Sequence, residues 1–177
     1  TEASHVGDLV TRLALSHPEV SFRFINNGQV KLHTSGNGNL KDVIYHIYGR
    51  EIASNLIEVD FERKGIHITG YLGKPLISRG NRNFENYFVD GRYIKSSIIS
   101  KAIEDGYKDF TMQHKYPFVV LYLDVDTEHV DVNVHPTKMD VRFNNQQEIY
   151  NTLFAAVDDG LHERELIPEV TLDDIKI

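Results

Sequence analysis

An α+β domain, a two-layer sandwich of one mixed β-sheet covered by helices, is the fold this sequence predicts. Two early hairpins, a strand–helix–strand unit in the middle and a closing helix predict it. Strands that come in runs, with helices gathered between them, bury a sheet against a helical layer. The dipeptides Asn27-Gly28, Lys64-Gly65 and Asp90-Gly91 supply the turns. A chain of 177 residues fits one domain, residues 1–165, followed by a tail or the start of a linker over 166–177.

The elements follow in order. Val6, Leu9, Val10, Leu13 and Ala14 form one apolar helix stripe that ends near His17 and Pro18. Phe22 and Phe24 alternate with Ser21 and Arg23, and Asn27-Gly28 turns the chain into a second strand over Gln29 to Thr34. After a Gly/Asn loop, Leu40, Val43, Ile44 and Ile47 mark a short helix with Gly49 as its left-handed cap. Ile57, Val59 and Phe61 pair across Lys64-Gly65 with Ile66, Ile68, Gly70 and Leu72. A basic, Asn-rich loop, Lys74 to Asn83, leads to a strand from Phe84 to Val89, and Asp90-Gly91 turns it into Arg92-Tyr93-Ile94. Ile98, Ile99, Ala102, Ile103 and Tyr107 stripe the next helix. Phe118 to Val125 is a dense apolar run, the mark of a central strand buried on both faces. Ile149, Leu153, Ala156, Val157 and Leu161 stripe a last helix that starts at Asn144 or Asn145, and periodicity is lost from Leu166 onward.

Composition narrows the chemistry. With 41% apolar and 25% charged residues the chain reads as an ordinary soluble domain. No cysteine is present, which excludes disulfides, thiolate catalysis and Cys-based zinc sites. No apolar run approaches the ~20 residues that span a bilayer, and no signal peptide is visible. The chain opens on polar residues without a Met, as a fragment would. A net charge of −7 argues against strong nucleic-acid binding by the domain as a whole. That charge is uneven: residues 1–62 carry −3, residues 63–101 carry +6 and residues 102–177 carry −10. The basic island reads either as a solvated surface or as a local footprint for a phosphate backbone.

The stretch from Val130 to Phe143 stands out. Val130, Val132 and Val134 alternate with Asp131, Asn133 and His135; Pro136 stops the strand; Met139, Val141 and Phe143 restore the alternation. Lys138 is thereby held at a loop tip, as a solvated side chain or as a point charge for a phosphate. Asp131, Asn133 and His135 share a strand face about 7 Å apart, too far for joint metal ligation. They read better as polar groups that fix the loop, and no metal site is expected.

The run "VDVNVHPTKMDVRF", with "NYFVDGRYIKS" and "PFVVLYLDV" upstream, resembles the MutL family of DNA mismatch repair proteins. The resemblance is to the second, or transducer, domain of that family's amino-terminal ATPase half, and it extends from Thr1 to about Arg164. It implies the fold of the second domain of ribosomal small-subunit protein five, with a left-handed strand–helix–strand crossover where the general rule gives a right hand. It implies that Lys138 reads the γ-phosphate of an ATP, in a loop shaped by His135, Pro136 and Thr137. The ATP and its Mg²⁺ belong to an adjacent ATPase domain. The Walker-type Gly-x-x-x-x-Gly-Lys is absent here, as are the family's Glu-x-x-x-Asn helix, Asp-x-Gly-x-Gly loop and Gly-rich lid. Alone, the fragment is expected to hold no cofactor and to hydrolyse no ATP. It also lacks an Asp-Gln-His-Ala-type metal motif, so cleavage of DNA is not expected.

The resemblance also implies partners. These are the protein's own N-terminal ATPase domain, a second copy in a MutL homodimer, and other mismatch repair proteins such as MutS. DNA is a further one, held weakly and without sequence preference, and the setting is the bacterial cytoplasm at the nucleoid. Arg79, Arg82, Arg92, Lys95 and Lys101 are the candidate DNA contacts, while Ser96 and Ser97 stand where relatives carry another arginine. Two rival readings remain. One is a free-standing nucleic-acid-binding module of the same fold; the other is a small hydrolase built on Asp131, Asn133 and His135.

Overall fold

The computed structural model describes residues 2–126 and 143–166. The expected strands around Pro136 and Lys138, the Asp131, Asn133 and His135 face, and the tail beyond Leu166 lie outside the described residues.

Helix α1 (Glu2–Ser16) leads into the hairpin β1 (Arg23–Asn26) and β2 (Gln29–His33). Its turn sits where it was expected, with Asn27 at φ 50 and Gly28 at φ 74, the mirror-image turn that matches strand twist. Helix α2 (Leu40–Tyr48) is capped by Asn39, whose Oδ1 accepts from the Asp42 N–H at 3.2 Å. Gly49 ends α2 with φ 92, but its ψ of 177 is extended rather than left-handed. The chain therefore swings directly into a one-turn helix, α3 (Arg50–Ala53), too short for periodicity to reveal.

Strands β3 (Leu56–Arg63), β4 (Ile66–Gly73), β5 (Glu85–Val89), β6 (Arg92–Tyr93) and β7 (Val119–Val125) form one sheet in the order β3-β4-β7-β5-β6. The sheet is mixed: β5 runs parallel to β7, while β3, β4, β6 and β7 pair antiparallel to their other neighbours. The β5–β7 link runs through β6 and helix α4 (Ser97–Tyr107), because parallel neighbours need a long crossover. β7 sits in the middle, as its dense apolar run predicts. Where β4 passes it, Gly70 has φ 122, and a Cβ there would lie 2.1 Å from the Val120 carbonyl oxygen. Helix α5 (Gln146–Leu166) closes the order, begun by Asn145, whose Oδ1 accepts from the Glu148 N–H.

Both faces of the sheet are covered, where a two-layer sandwich was expected. Val119, Leu121 and Leu123 point to a core shared with α4 and α5, including Ile99, Ile103, Leu153 and Val157. Val120 and Phe88 point the other way, to Leu15 of α1, Val43 and Ile44 of α2 and Ile52 of α3. The second layer follows from the period-2 geometry of β7: Val119, Leu121 and Leu123 on one face and Val120 on the other are all buried, so both faces need cover. Tyr107 ties α4 to the sheet by donating to the Gly73 carbonyl at 2.6 Å, and burial pushes its hydroxyl pKa up.

Helix α1 departs from its expected role. Ala14 and Leu15 are buried, yet Val6 is 45% and Leu9 55% exposed, with Leu13, Ile25 and Val30 also exposed nearby in the chain. Periodicity shows that a face is apolar, not that this chain covers it.

Candidate nucleic-acid interface

The basic island folds into a strand–turn–helix face. The turn between β5 and β6 is pinned to β7: the Asp90 N–H donates to the Leu123 carbonyl at 2.9 Å, and Asp90 Oδ1 accepts from the Val125 N–H at 3.0 Å. Ser96 caps α4, its Oγ accepting from the Ile99 N–H. The Ser96 N–H donates to the Tyr87 hydroxyl at 2.9 Å, which in turn lies 2.8 Å from Ser100 Oγ. The helix start is therefore locked onto β5.

The five candidate contacts sit in different surroundings. Arg79 is half-buried: its backbone pairs both ways with Tyr116 at 2.7 Å, its guanidinium lies 5.3 Å from the Phe84 ring centre, and its Nε has no hydrogen-bond partner among the described residues. Arg82, on the 3-10 turn Arg82–Phe84, lies over Tyr116, and its Nε donates to Glu104 Oε1 of α4 at 2.6 Å. Lys101 lies 3.9 Å from Asp105 one turn along α4. Arg92 is exposed on β6 and Lys95 is exposed just before α4. Two of the five, Arg82 and Lys95, line one cavity of about 300 Å³. Arg12 of α1 shares it, its guanidinium 4.4 Å over the Tyr93 ring, together with Asn83, Glu85, Tyr87, Ser96, Ser97 and Ser100.

Arg12 and Glu85 were missed in the sequence. Nothing local marks Arg12, which arrives from a helix some fifty positions upstream of the island. Glu85 did leave a signal: strand alternation puts it on the same face as Tyr87 and Val89, an odd place for a carboxylate. It is 7% exposed, neither carboxyl oxygen has a hydrogen-bond partner among the described residues, and burial, with help from the Glu104 charge, raises its pKa to about 8. Among the described residues no cluster of acids and histidines is fit to hold a metal ion.

Lys138, Thr137, Pro136 and His135 lie outside the described residues; their flanks do not. Before them, β7 ends at buried Val125, and the Asp126 N–H donates to the Gly65 carbonyl at 3.1 Å. After them, Phe143 is buried in the same core cluster as Val125.

Comparison with known proteins defines the class: this is an α+β domain of a DNA mismatch repair protein. Residues 44–162 match the family model described as DNA mismatch repair protein, C-terminal domain. The chain belongs to the MutL family and covers its transducer region. The DNA mismatch repair protein MutL of Agathobacter rectalis is 59% identical over 173 residues, 98% of this chain and 26% of that protein. MutL of Clostridium acetobutylicum is 44% identical over 160 residues, again 26% of its length. The chain thus spans about a quarter of these curated relatives. Among solved structures, the N-terminal domain of a DNA repair protein superposes with a TM-score of 0.74 at 21% identity, covering 90% of this chain and 53% of that one. The ATPase domain of the mismatch repair endonuclease MutL from Aquifex aeolicus gives 0.58 at 20% identity, covering 89% and 52%. These two likenesses establish the fold.

Proposed function

We propose that this domain is the transducer of a MutL-like ATPase. It supplies Lys138 to the γ-phosphate of an ATP that, with Mg²⁺, occupies an adjacent ATPase domain, and His135, Pro136 and Thr137 set the loop that carries the lysine. Phosphoryl transfer is helped mainly by positioned positive charge. A lysine delivered from a second rigid body also reports whether the γ-phosphate is there, so the same contact couples ATP binding to dimer closure and to engagement of DNA and partners such as MutS. The left-handed crossover of the ribosomal-protein-five type belongs to this reading, as does a bacterial cytoplasmic setting.

The observation that carries the proposal is the anchoring of the Lys138 segment at both ends. Val125 and Phe143, the described residues on either side of the segment, are buried in one core. The exposed Val6, Leu9 and Leu13 face of α1 supports it, since an apolar stripe of this kind suits a neighbouring domain. Steady-state ATP turnover of the protein carrying both domains tests it. Lys138→Met is expected to lower turnover by roughly 10²-fold, the scale for one aimed charge donor. Unchanged turnover makes Lys138 structural and the proposal wrong.

A second reading, a free-standing nucleic-acid-binding module, is favoured by the cavity that gathers Arg12, Arg82 and Lys95. It demands measurable DNA affinity in the isolated chain; the transducer reading, with a net charge of −7, expects little.

A further inference from the structure

We propose that the cavity between α1, the Arg82–Phe84 turn and the start of α4 receives a nucleic-acid backbone phosphate, with the Glu85 carboxyl as a hydrogen-bond donor to it. This rests on the reading that the basic face meets nucleic acid. It adds an acid to a site otherwise marked by its cations.

The cavity is a built one. Glu85, at 7% exposure, is held on a strand whose five residues are all buried, and both of its oxygens are without a partner among the described residues. A buried ionised carboxylate with no partner is costly, and the neutral acid avoids that cost. The neutral acid carries one O–H that needs an acceptor. The rest of the lining says which acceptor fits. Arg12, Arg82 and Lys95 are cationic, Ser97 and Ser100 bring hydroxyls, and α4 points its positive N-terminal end at the same space. A cationic ligand would be repelled by the three cations and the helix end; a phosphate oxygen is drawn by these and can accept from the hydroxyls.

The groups that face Glu85 agree on its protonation. From α4 come Glu104, whose charge disfavours a second carboxylate, and Tyr107. From the 3-10 turn comes Arg82, which favours ionisation but is already bonded to Glu104. Tyr87 lies on the same strand, Tyr93 and Lys95 beyond the turn, and Arg12 on α1. Across the sheet, Glu85 is paired with apolar Val119. With burial as the leading cause, the pKa rises to about 8, so at neutral pH the acid keeps its proton. Above that, a carboxylate would face the phosphate and repel it.

The test, on the protein that carries both this domain and the ATPase domain, is fluorescence anisotropy of a labelled single-stranded oligonucleotide without terminal phosphates, at fixed ionic strength, from pH 6.5 to 9.5. The protein is expected to lose about tenfold in affinity across that range, the scale of one charge-assisted hydrogen bond turned to repulsion. Glu85→Gln, which keeps the shape and an N–H donor but cannot ionise, is expected to bind as well at pH 7 and to show no such loss. Should that variant not fold, Glu85→Leu is expected to bind more weakly at pH 7 and with a flat profile. A flat wild-type profile, or a variant that follows the wild type, overturns the role of Glu85 while the nucleic-acid reading stands. No binding at any pH overturns both. Calorimetry with inorganic phosphate runs alongside: uptake of phosphate with this pH profile but no oligonucleotide binding would assign the cavity to free phosphate and overturn the backbone assignment.

Discussion

At the residue scale Glu85 ties stability to pH. Its folded pKa of about 8 exceeds its ordinary value of 4.5, so between these the folded state holds the proton that the unfolded chain has lost. Stability from this group is full below pH 4.5, falls through the interval at up to about 1.4 kcal/mol per pH unit, and is flat above it. Urea unfolding at pH 5, 7 and 9 should therefore show wild type weakening relative to Glu85→Gln as pH rises; parallel curves would mean the carboxyl is solvated. The expectation placed on Lys138 rests on the opposite kind of signal. That residue belongs to a sequence run whose pattern is local, whereas the environment of Glu85 comes from α1, α4 and β7, which a linear reading does not bring together.

Among elements, the hairpins were read correctly because their turns are local chemistry. Asn27-Gly28, Lys64-Gly65 and Asp90-Gly91 all adopt positive φ at both positions. Helix α3 was not read, since four residues show no period. The packing of α4 on α5 was hidden for another reason: it depends on Gly106, where a Cβ would lie 2.6 Å from Val157 Cγ1. Gly106→Ala should gain about 1 kcal/mol of helix propensity and lose more than that, up to about 3 kcal/mol, to overpacking. A net loss in thermal unfolding, partly recovered by adding Val157→Ala, is the expected result. A net gain would show that the two helices have slack.

For the whole molecule, the open question at the start of the chain is what covers α1. Leu9, 55% exposed, makes little use of this chain's own core. Leu9→Gln should leave the isolated domain within about 0.5 kcal/mol of wild type in urea unfolding. In the protein that carries the ATPase domain the same change should destabilise the assembly and lower ATP turnover. An effect in the isolated domain alone would place the stripe inside this fold and remove one support for the two-domain reading.

The sequence by itself determined the α+β class, the positions of the turns, the centrality of β7 and the run around Lys138, because alternation, turn chemistry and motif spacing are properties of neighbouring residues. It also determined that residues 63–101 form a basic island within an acidic chain. Only the tertiary structure decided that helices cover both faces of the sheet, that Arg79, Arg82 and Lys101 each rest on a ring or a carboxylate of the same chain, and that Arg12 joins Lys95 around Glu85, whose oxygens have no hydrogen-bond partner among the described residues. The physical reason is that burial and electrostatic pairing are set by distances in space, and the elements that meet at this cavity lie far apart along the chain.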